Sequence, residues 1–258
     1  EGLESLGILM AAMEAAGIPP EQLWYVILPL IEKPNGRGYR PVLSQSSTIR
    51  LWEKARRPIA NKILKHMRRP YWAGGKARGS EASVYVQCLE AEAEEADGKV
   101  SAALLLDASK YYESFELTEL GKRFIAQQGP TAVAKVTTNL WHGPRLLRLG
   151  PQLHPLVAYP RCGLPAGSGW NDAMVQAYAI VAFDSWALRH PRATLASMID
   201  DDTIAAHGTE CEVVAILVPA VKDFYTNVLQ EALGVGISHD KLATVSSNPQ
   251  LASRVLKG

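Results

Sequence analysis

The sequence predicts a mixed α/β or α+β fold, arranged as one large domain or two closely packed subdomains. Three observations point there. Segments with helical apolar spacing alternate with short runs rich in β-branched and aromatic residues along all 258 residues. Apolar residues make up 47% and charged residues 21%, the balance of a folded chain with a sizeable core. Neither an internal repeat nor a low-complexity linker breaks the pattern.

In chain order, Leu3 to Ala16 has helical apolar spacing, and Gly17 with Pro19–Pro20 beyond it supplies the stop. Trp24 to Ile31 reads as a strand, Lys33 to Gly38 as a turn and Tyr39 to Leu43 as the return strand. Together they form a hairpin with a basic tip. Thr48 to Met67 is a long basic helix with Trp52, Ile59 and Leu64 at apolar positions. Trp72 to Gly79 is a loop, and Ser80 opens a helix that runs to about Ala96, where Asp97–Gly98 ends it. Val100 to Leu106 is a continuous apolar run, expected of a central strand buried on both faces and delivering Asp107 at its end.

Leu117–Gln128 and Thr131–Leu140 read as helices, and Arg145–Gly150 and Leu156–Tyr159 as short strands. Gly163–Gly169 is a Gly/Pro loop before a largely buried helix over Asn171–Leu188. Thr194–Ile199 and Ile204–Ala206 read as a hairpin with three acids, Asp200 to Asp202, at its tip. A long helix from Glu210 to about Ala232, short strands at Gly234–Ile237 and Ala243–Ser246, and a helix over Pro249–Leu256 complete the chain.

Composition narrows the function classes. No apolar run is long enough to cross a bilayer, which excludes a helical membrane span. The first residues lack the basic start and apolar core of a signal peptide, and the initial Glu suggests an excerpt of something longer. Cys88, Cys162 and Cys211 are odd in number and far apart. This argues against a disulfide framework or zinc site and for packed or incidental thiols in a reducing, intracellular compartment, cytoplasmic or nuclear. Net charge is only +1, but its distribution is uneven. Ten Lys or Arg residues and a single acid, Glu53, lie between Arg50 and Arg78; six acids and no bases lie between Glu81 and Asp97. Local concentration of positive charge allows a chain to hold a phosphate backbone without a high overall pI.

Chemistry concentrates in the carboxylates. One apolar strand leads to Asp107 and another to the Asp200–Asp202 triplet. Adjacent carboxylates repel one another unless cations neutralise them. Mg2+ favours a few carboxylates plus substrate phosphate oxygens. Two such ions, about 3.5–4 Å apart, stabilise the attacking and leaving oxygens of an in-line phosphoryl displacement.

Five motifs in order resemble those of reverse transcriptases. Asp107-Ala-Ser-Lys-Tyr-Tyr-Glu-Ser-Phe115 is similar to their first catalytic motif, an Asp followed by an aromatic five residues on. Gly163-Leu-Pro-Ala-Gly-Ser168 resembles their Gly-Leu-Pro-Gln-Gly-Ser loop, and Met198-Ile-Asp-Asp201 their aromatic-x-Asp-Asp hairpin. Ser238-His-Asp-Lys241 resembles the later palm motif that carries a Lys, and the hairpin with Lys33 and Arg40-Pro-Val42 the fingers hairpin that embraces the incoming triphosphate. Within that family the Ala-Gly-Ser loop and the Arg189-His-Pro191 lead-in are similar to non-LTR retroelement (retrotransposon) polymerases.

The resemblance implies an α+β right-hand polymerase core of fingers and palm, with an antiparallel palm sheet backed by helices and the thumb absent. Residues 1–100 would form the main part of the fingers and 101–258 the palm, with 117–150 packing toward the fingers. No nuclease, integrase or RNase H segment is apparent. The implied activity is RNA-directed DNA synthesis. Asp107, Asp200 and Asp201, with the Ala108 carbonyl, would hold two Mg2+ ions, Mn2+ being an alternative. Lys241 would protonate the leaving pyrophosphate. Tyr112 would lie beneath the sugar and exclude a 2′-hydroxyl. Lys33 and Arg40 would neutralise the triphosphate, and Gly163, Pro165, Ala166 and Gly167 would let the backbone pass close to template and nucleotide. Arg50, Lys54, Arg56, Arg57, Lys62, Arg68, Arg69, Lys76 and Arg78 would contact phosphates of an RNA template and a DNA or RNA primer, with dNTPs as substrate.

The sequence departs from the family pattern at three points. Ala166 replaces Gln, Met198 replaces the hairpin aromatic, and Asp202 stands where an apolar residue is usual. Two registers of the acidic pair follow. Asp200–Asp201 is preferred because Ile199 then fills the small apolar slot before the pair; Asp201–Asp202 is the alternative. Two other functions remain open: RNA-directed RNA synthesis on the same palm, which Tyr112 opposes, and a degenerate retroelement remnant that binds nucleic acid without catalysis. Oligomeric state is not legible in the sequence.

Overall fold

The computed structural model describes residues 2–34, 36, 38–73, 79–165 and 167–257. Its strands are β1 (Val26–Glu32), β2 (Tyr39–Pro41), β3 (Val100–Ser109), β4 (Arg145–Leu149), β5 (Gln152–Ala158), β6 (Thr194–Met198), β7 (Asp201–Gly208), β8 (Gly236–Ile237) and β9 (Ala243–Ser246). They form two sheets in which one neighbouring pair, β1 with β4, is parallel and the others are antiparallel. The fold is α+β. The chain divides into two compact units, residues 1–67 with 112–178 and residues 68–111 with 179–258.

The first unit is built on a sheet of order β2-β1-β4-β5. The β1–β2 hairpin forms in the register Leu30↔Pro41, Ile31↔Arg40 and Glu32↔Tyr39, as the sequence predicts. Helices Gly2–Ala16, Ser47–His66, Leu117–Ala126 and Thr131–His142 belong to this unit, as does the first part of Asn171–Arg189. The basic helix starts where the Ser46 hydroxyl accepts from the Thr48 N–H. Its buried stripe is Ile49, Trp52, Glu53, Ala60 and Ile63; Ile59 and Leu64, expected there, are only half-buried. The stripe therefore keeps its helical period but is rotated from the expected one, and it includes a carboxylate.

The second unit holds the sheet β6-β7-β3-β8, with β9 also paired to β3. β3 is central because β7 occupies one edge over its full length, while β9 and β8 share the other. Its run of apolar residues was expected to be buried on both faces. Instead Ala102, Leu104, Leu106 and Ala108 are buried while Leu105 is exposed and Asp107 only half-buried. One face of the sheet is therefore covered and the other is open, the usual outcome for an antiparallel sheet. Val213, Leu217 and Ala220 of the helix beginning at Glu210 are buried, and that helix packs against β3 and β7. It is closed at its start by a reciprocal pair of hydrogen bonds between Thr209 and Glu212. From Phe224 it continues to Leu233 in wider turns, with Phe224, Val228, Leu229 and Leu233 buried.

The helices at Ser80–Ala96 and Pro249–Lys257 lie within a residue or two of their expected ranges. No helix among the described residues is long and apolar enough to cross a membrane. All three cysteines are free and exposed, which makes them incidental rather than packed.

Candidate active site

Strand parity places the acids. In the β3–β7 ladder Asp107 lies opposite Asp201, and Leu106 opposite Asp202. Successive residues of a strand point to opposite faces. Asp107 and Asp201 thus share the open face, and Asp202 shares the covered face with Leu106 and Ile204. Exposure agrees: Asp202 is 2% exposed, whereas Asp201 is exposed and Asp200 half-exposed. The hairpin tip is narrower than expected, since β7 already begins at Asp201 and the turn consists of Ile199 and Asp200. The Ala108 N–H donates to the Asp200 carbonyl at 2.8 Å, which ties the turn to β3.

Ile199 does not fill an apolar slot before the pair. It is 42% exposed and adopts φ +63°, a left-handed conformation that β-branched residues rarely take. The tight turn between Met198 and Asp201 demands that conformation, so Ile199 stores strain beside the acids.

Charges at this end of the sheet are crowded. Partial burial raises the Asp201 carboxyl above the ordinary range, and the neighbouring Asp200 and Asp107 raise it further; Lys241 opposes them. The Lys241 ammonium donates to both oxygens of Asp107, at 2.8 Å each. That contact raises the Lys241 pKa, with Asp200 and Asp201 adding to the effect, so the side chain holds its proton more firmly. The tight turn that presents it is closed by Ser238 N–H to the Asp107 carbonyl and Lys241 N–H to the Ser238 carbonyl. Asp107 and Lys241, 134 positions apart, are therefore fixed to each other through both backbone and side chain.

Asp202 has a different environment. Burial pushes its carboxyl up to about 7, with Asp201 and Asp200 adding to that and Ser197 opposing it. Ser197 is its cross-strand partner and is itself buried. The Asp202 Oδ1 has no hydrogen-bond partner among the described residues.

In the first unit the Gly163–Gly169 loop is fastened at several points. Gly163 N–H donates to the Phe115 carbonyl and Leu164 N–H to that of Tyr112, at 2.9 and 2.8 Å. Arg145 donates to the Gly163 carbonyl, and Asn171 Nδ2 to that of Pro165 at 2.7 Å. Gly163 at φ +98° and Gly167 at φ +95° occupy backbone conformations that side-chain-bearing residues avoid. Tyr112 is half-buried and bonded through its carbonyl to this loop, so the structure joins two of the resembling motifs. Ala166 lies outside the described residues.

The predicted basic contacts differ in availability. Arg50, Lys54, Arg57, Lys62 and Arg68 are exposed. Arg56 instead forks onto Glu14, and Arg69 onto Asp184 at 2.9 Å through both Nε and Nη2. Each of these two cations is thus committed within its own unit. Lys33 is exposed, and its backbone closes the turn onto Gly38; Arg40 stands opposite Ile31 in β2. Lys76 and Arg78 lie outside the described residues. Sequence reasoning missed Arg145, Asn171 and Glu53, which fasten the loop; only Glu53, alone in a basic run, left a trace.

No protein-family model matches the chain, and no curated protein matches it. Solved structures do. Apo telomerase from Candida tropicalis, truncated from its C-terminal domain, superposes with a TM-score of 0.59 at 12% identity, over 88% of this chain and 51% of that one. Telomerase from the same organism, in complex with a fragment of telomeric RNA, superposes with a TM-score of 0.64 at 12% identity, over 88% and 41%. The fold is reverse-transcriptase-like. The chain spans about half the length of the first telomerase chain and about two-fifths of the second. At that identity the likeness concerns architecture alone.

Proposed function

We propose that this chain carries out RNA-directed DNA synthesis, as part of a retroelement polymerase of the non-LTR type. The observation that carries the reading is the pairing of Asp107 with Asp201 on the open face of an antiparallel sheet, with Asp200 in the adjoining turn. The reverse-transcriptase-like fold supports it.

The donor set has the chemistry that Mg2+ or Mn2+ prefers: carboxylate oxygens on one surface, where partial burial and then mutual repulsion raise Asp201. Among the described residues no group of three or more His, Cys, Asp or Glu side chains is drawn together tightly enough to hold a metal, and Lys241 neutralises Asp107 instead. Asp107, Asp200 and Asp201, with the Ala108 carbonyl, would hold two divalent ions once Lys241 turned away. Such ions, when bound, stabilise charge on the attacking and leaving oxygens. The primer 3′-hydroxyl would attack the α-phosphate of the nucleotide, and Lys241 would donate its proton to the departing pyrophosphate. Release from Asp107 would remove the contact that raises its pKa. Asp202 takes no direct part, because it faces the covered side.

Lys33 and Arg40 would balance the triphosphate charge. Tyr112 would discriminate against a 2′-hydroxyl. The loop from Gly163 through Pro165 and Ala166 to Gly167 would pass close to the nucleotide, and the exposed cations Arg50, Lys54, Arg57, Lys62 and Arg68 would hold the phosphates of template and primer.

Primer extension on an RNA template with Mg2+ or Mn2+ tests the reading. Wild type should incorporate dNTPs in preference to rNTPs, Asp107→Asn and Asp200→Asn should fall to background, and Tyr112→Ala should admit rNTPs. Preferential rNTP use by wild type would indicate RNA synthesis. Template binding without extension would leave only the nucleic-acid-binding remnant.

A further inference from the structure

Glu53 is the one acid of the basic stretch, and it is buried, at 7% exposure. A carboxylate removed from water is costly unless donors reach it. Two do. The Ser168 hydroxyl donates to Oε1 at 2.6 Å and the Gly169 N–H to Oε2 at 3.1 Å. Both donors belong to the Gly163–Gly169 loop, more than a hundred positions later in the chain. Ser168 Oγ also receives the Trp170 N–H at 3.3 Å, and Trp170 packs against Trp52, the neighbour of Glu53. The approach is close enough that a Cβ on Gly169 would lie 3.4 Å from the Glu53 Cβ.

The first end of the loop hangs on carbonyls of residues 112 and 115 and on Arg145. Its far end is held by Glu53, from a separate helix. Burial raises the Glu53 carboxyl, while the Ser168 hydroxyl, the Gly169 N–H, Gln45 and Arg50 pull it back. Charge-assisted hydrogen bonds of this kind are about twice as strong as neutral ones.

We propose that Glu53 is a positioning residue for nucleotide selection: by accepting from Ser168 and Gly169 it fixes the far end of the loop that begins at Gly163, and with it the fit of the incoming nucleotide. This rests on the polymerase reading above. Glu53 touches no reacting atom and acts only through the loop. Its loss therefore weakens nucleotide binding more than it slows the chemical step.

The experiment is single-nucleotide primer extension by the intact chain, comparing wild type with Glu53→Gln, Ser168→Ala and the double variant, alongside thermal melts of each. Glu53→Gln keeps the volume and one acceptor but places an amide N–H₂ against a donor. Its KM for the nucleotide should rise about tenfold with kcat within about twofold of wild type, as expected for weakened binding rather than impaired chemistry. Ser168→Ala should give the same split, and the double variant should be no worse than the worse single, because both remove one interaction. Ser168→Ala removes the hydrogen bond from the loop side, so the question stays decidable even where a Glu53 variant folds poorly. Additive effects, a fall in kcat at constant KM, or changes that track only the melting temperature would each overturn the proposal. A wild type that extends primers while Glu53→Gln matches it would overturn this proposal alone. A wild type that fails to extend would overturn the polymerase reading, and this proposal with it.

Discussion

Asp202 and Asp201 are neighbours with opposite fates. One faces Leu106 across the ladder and is buried; the other faces Asp107 and is exposed. Folded Asp202 binds its proton up to about pH 7, whereas its ordinary value is 3.8. Ionising it therefore opposes folding. The penalty is absent below about pH 4, grows as pH rises between the two values, and is complete above about pH 7. Asp202→Asn removes the titration while keeping the shape. It should raise stability at pH 8 by about 2–4 kcal/mol, with little change at pH 4, measured by denaturant midpoints across that range. An unchanged pH slope would place the Asp202 carboxyl in water. The sequence raised the question of which two acids of the triplet share a surface with Asp107. It could not answer it, because the answer depends on where the turn ends, and Ile199 accepts a left-handed backbone that its side chain disfavours.

Elements were read more reliably than their environments. The helices and most strands lie close to their expected ranges because period 3.6 and period 2 are written locally, and so are stops such as Gly17 at φ +71°. What escaped was which face each element buries. The β3 run looks the same in sequence whether one face or two are covered, and only its partners decide. Glu53 is another case, since a charged residue on a buried stripe is explained only by donors from a distant loop. In the first unit the entry to β4 depends on a close approach of the same kind. Gly143 precedes it, and a Cβ there would meet the Trp24 ring at 2.3 Å and the Trp24 carbonyl at 2.7 Å. Trp24 is held in place by its indole N–H donating to the Asn139 carbonyl at 2.8 Å. Gly143→Ala should therefore push Trp24 off its site and cost about 1–3 kcal/mol, read from thermal or chemical unfolding. A neutral outcome would mean that β1 and β4 tolerate a different spacing at that end.

At the scale of the molecule, a net charge of +1 conceals a division between basic and acidic stretches. Arg50, Lys54 and Arg57 recur at intervals of four and three, which aligns them along one side of their helix, and all three are exposed. Replacing Lys54, Arg57 and Lys62 with Gln should weaken nucleic-acid binding without regard to sequence. It should also flatten the dependence of log K on log salt by about 0.7–0.9 for each phosphate no longer neutralised, measured by fluorescence anisotropy over a salt series. Arg56→Gln should instead destabilise the fold, because Arg56 is spent on Glu14. An unchanged salt slope in the triple variant would remove this helix from the interface. The sequence by itself determined the order of elements, the motifs and their resemblance, and the concentration of charge, because each is a property of neighbours along the chain. Tertiary structure alone decided that Asp107 meets Asp201 and Lys241, that Asp202 turns inward, and that Glu53 holds the loop. These depend on strand register and on the packing of segments up to 134 positions apart, where a shift of a single residue would exchange one face for the other.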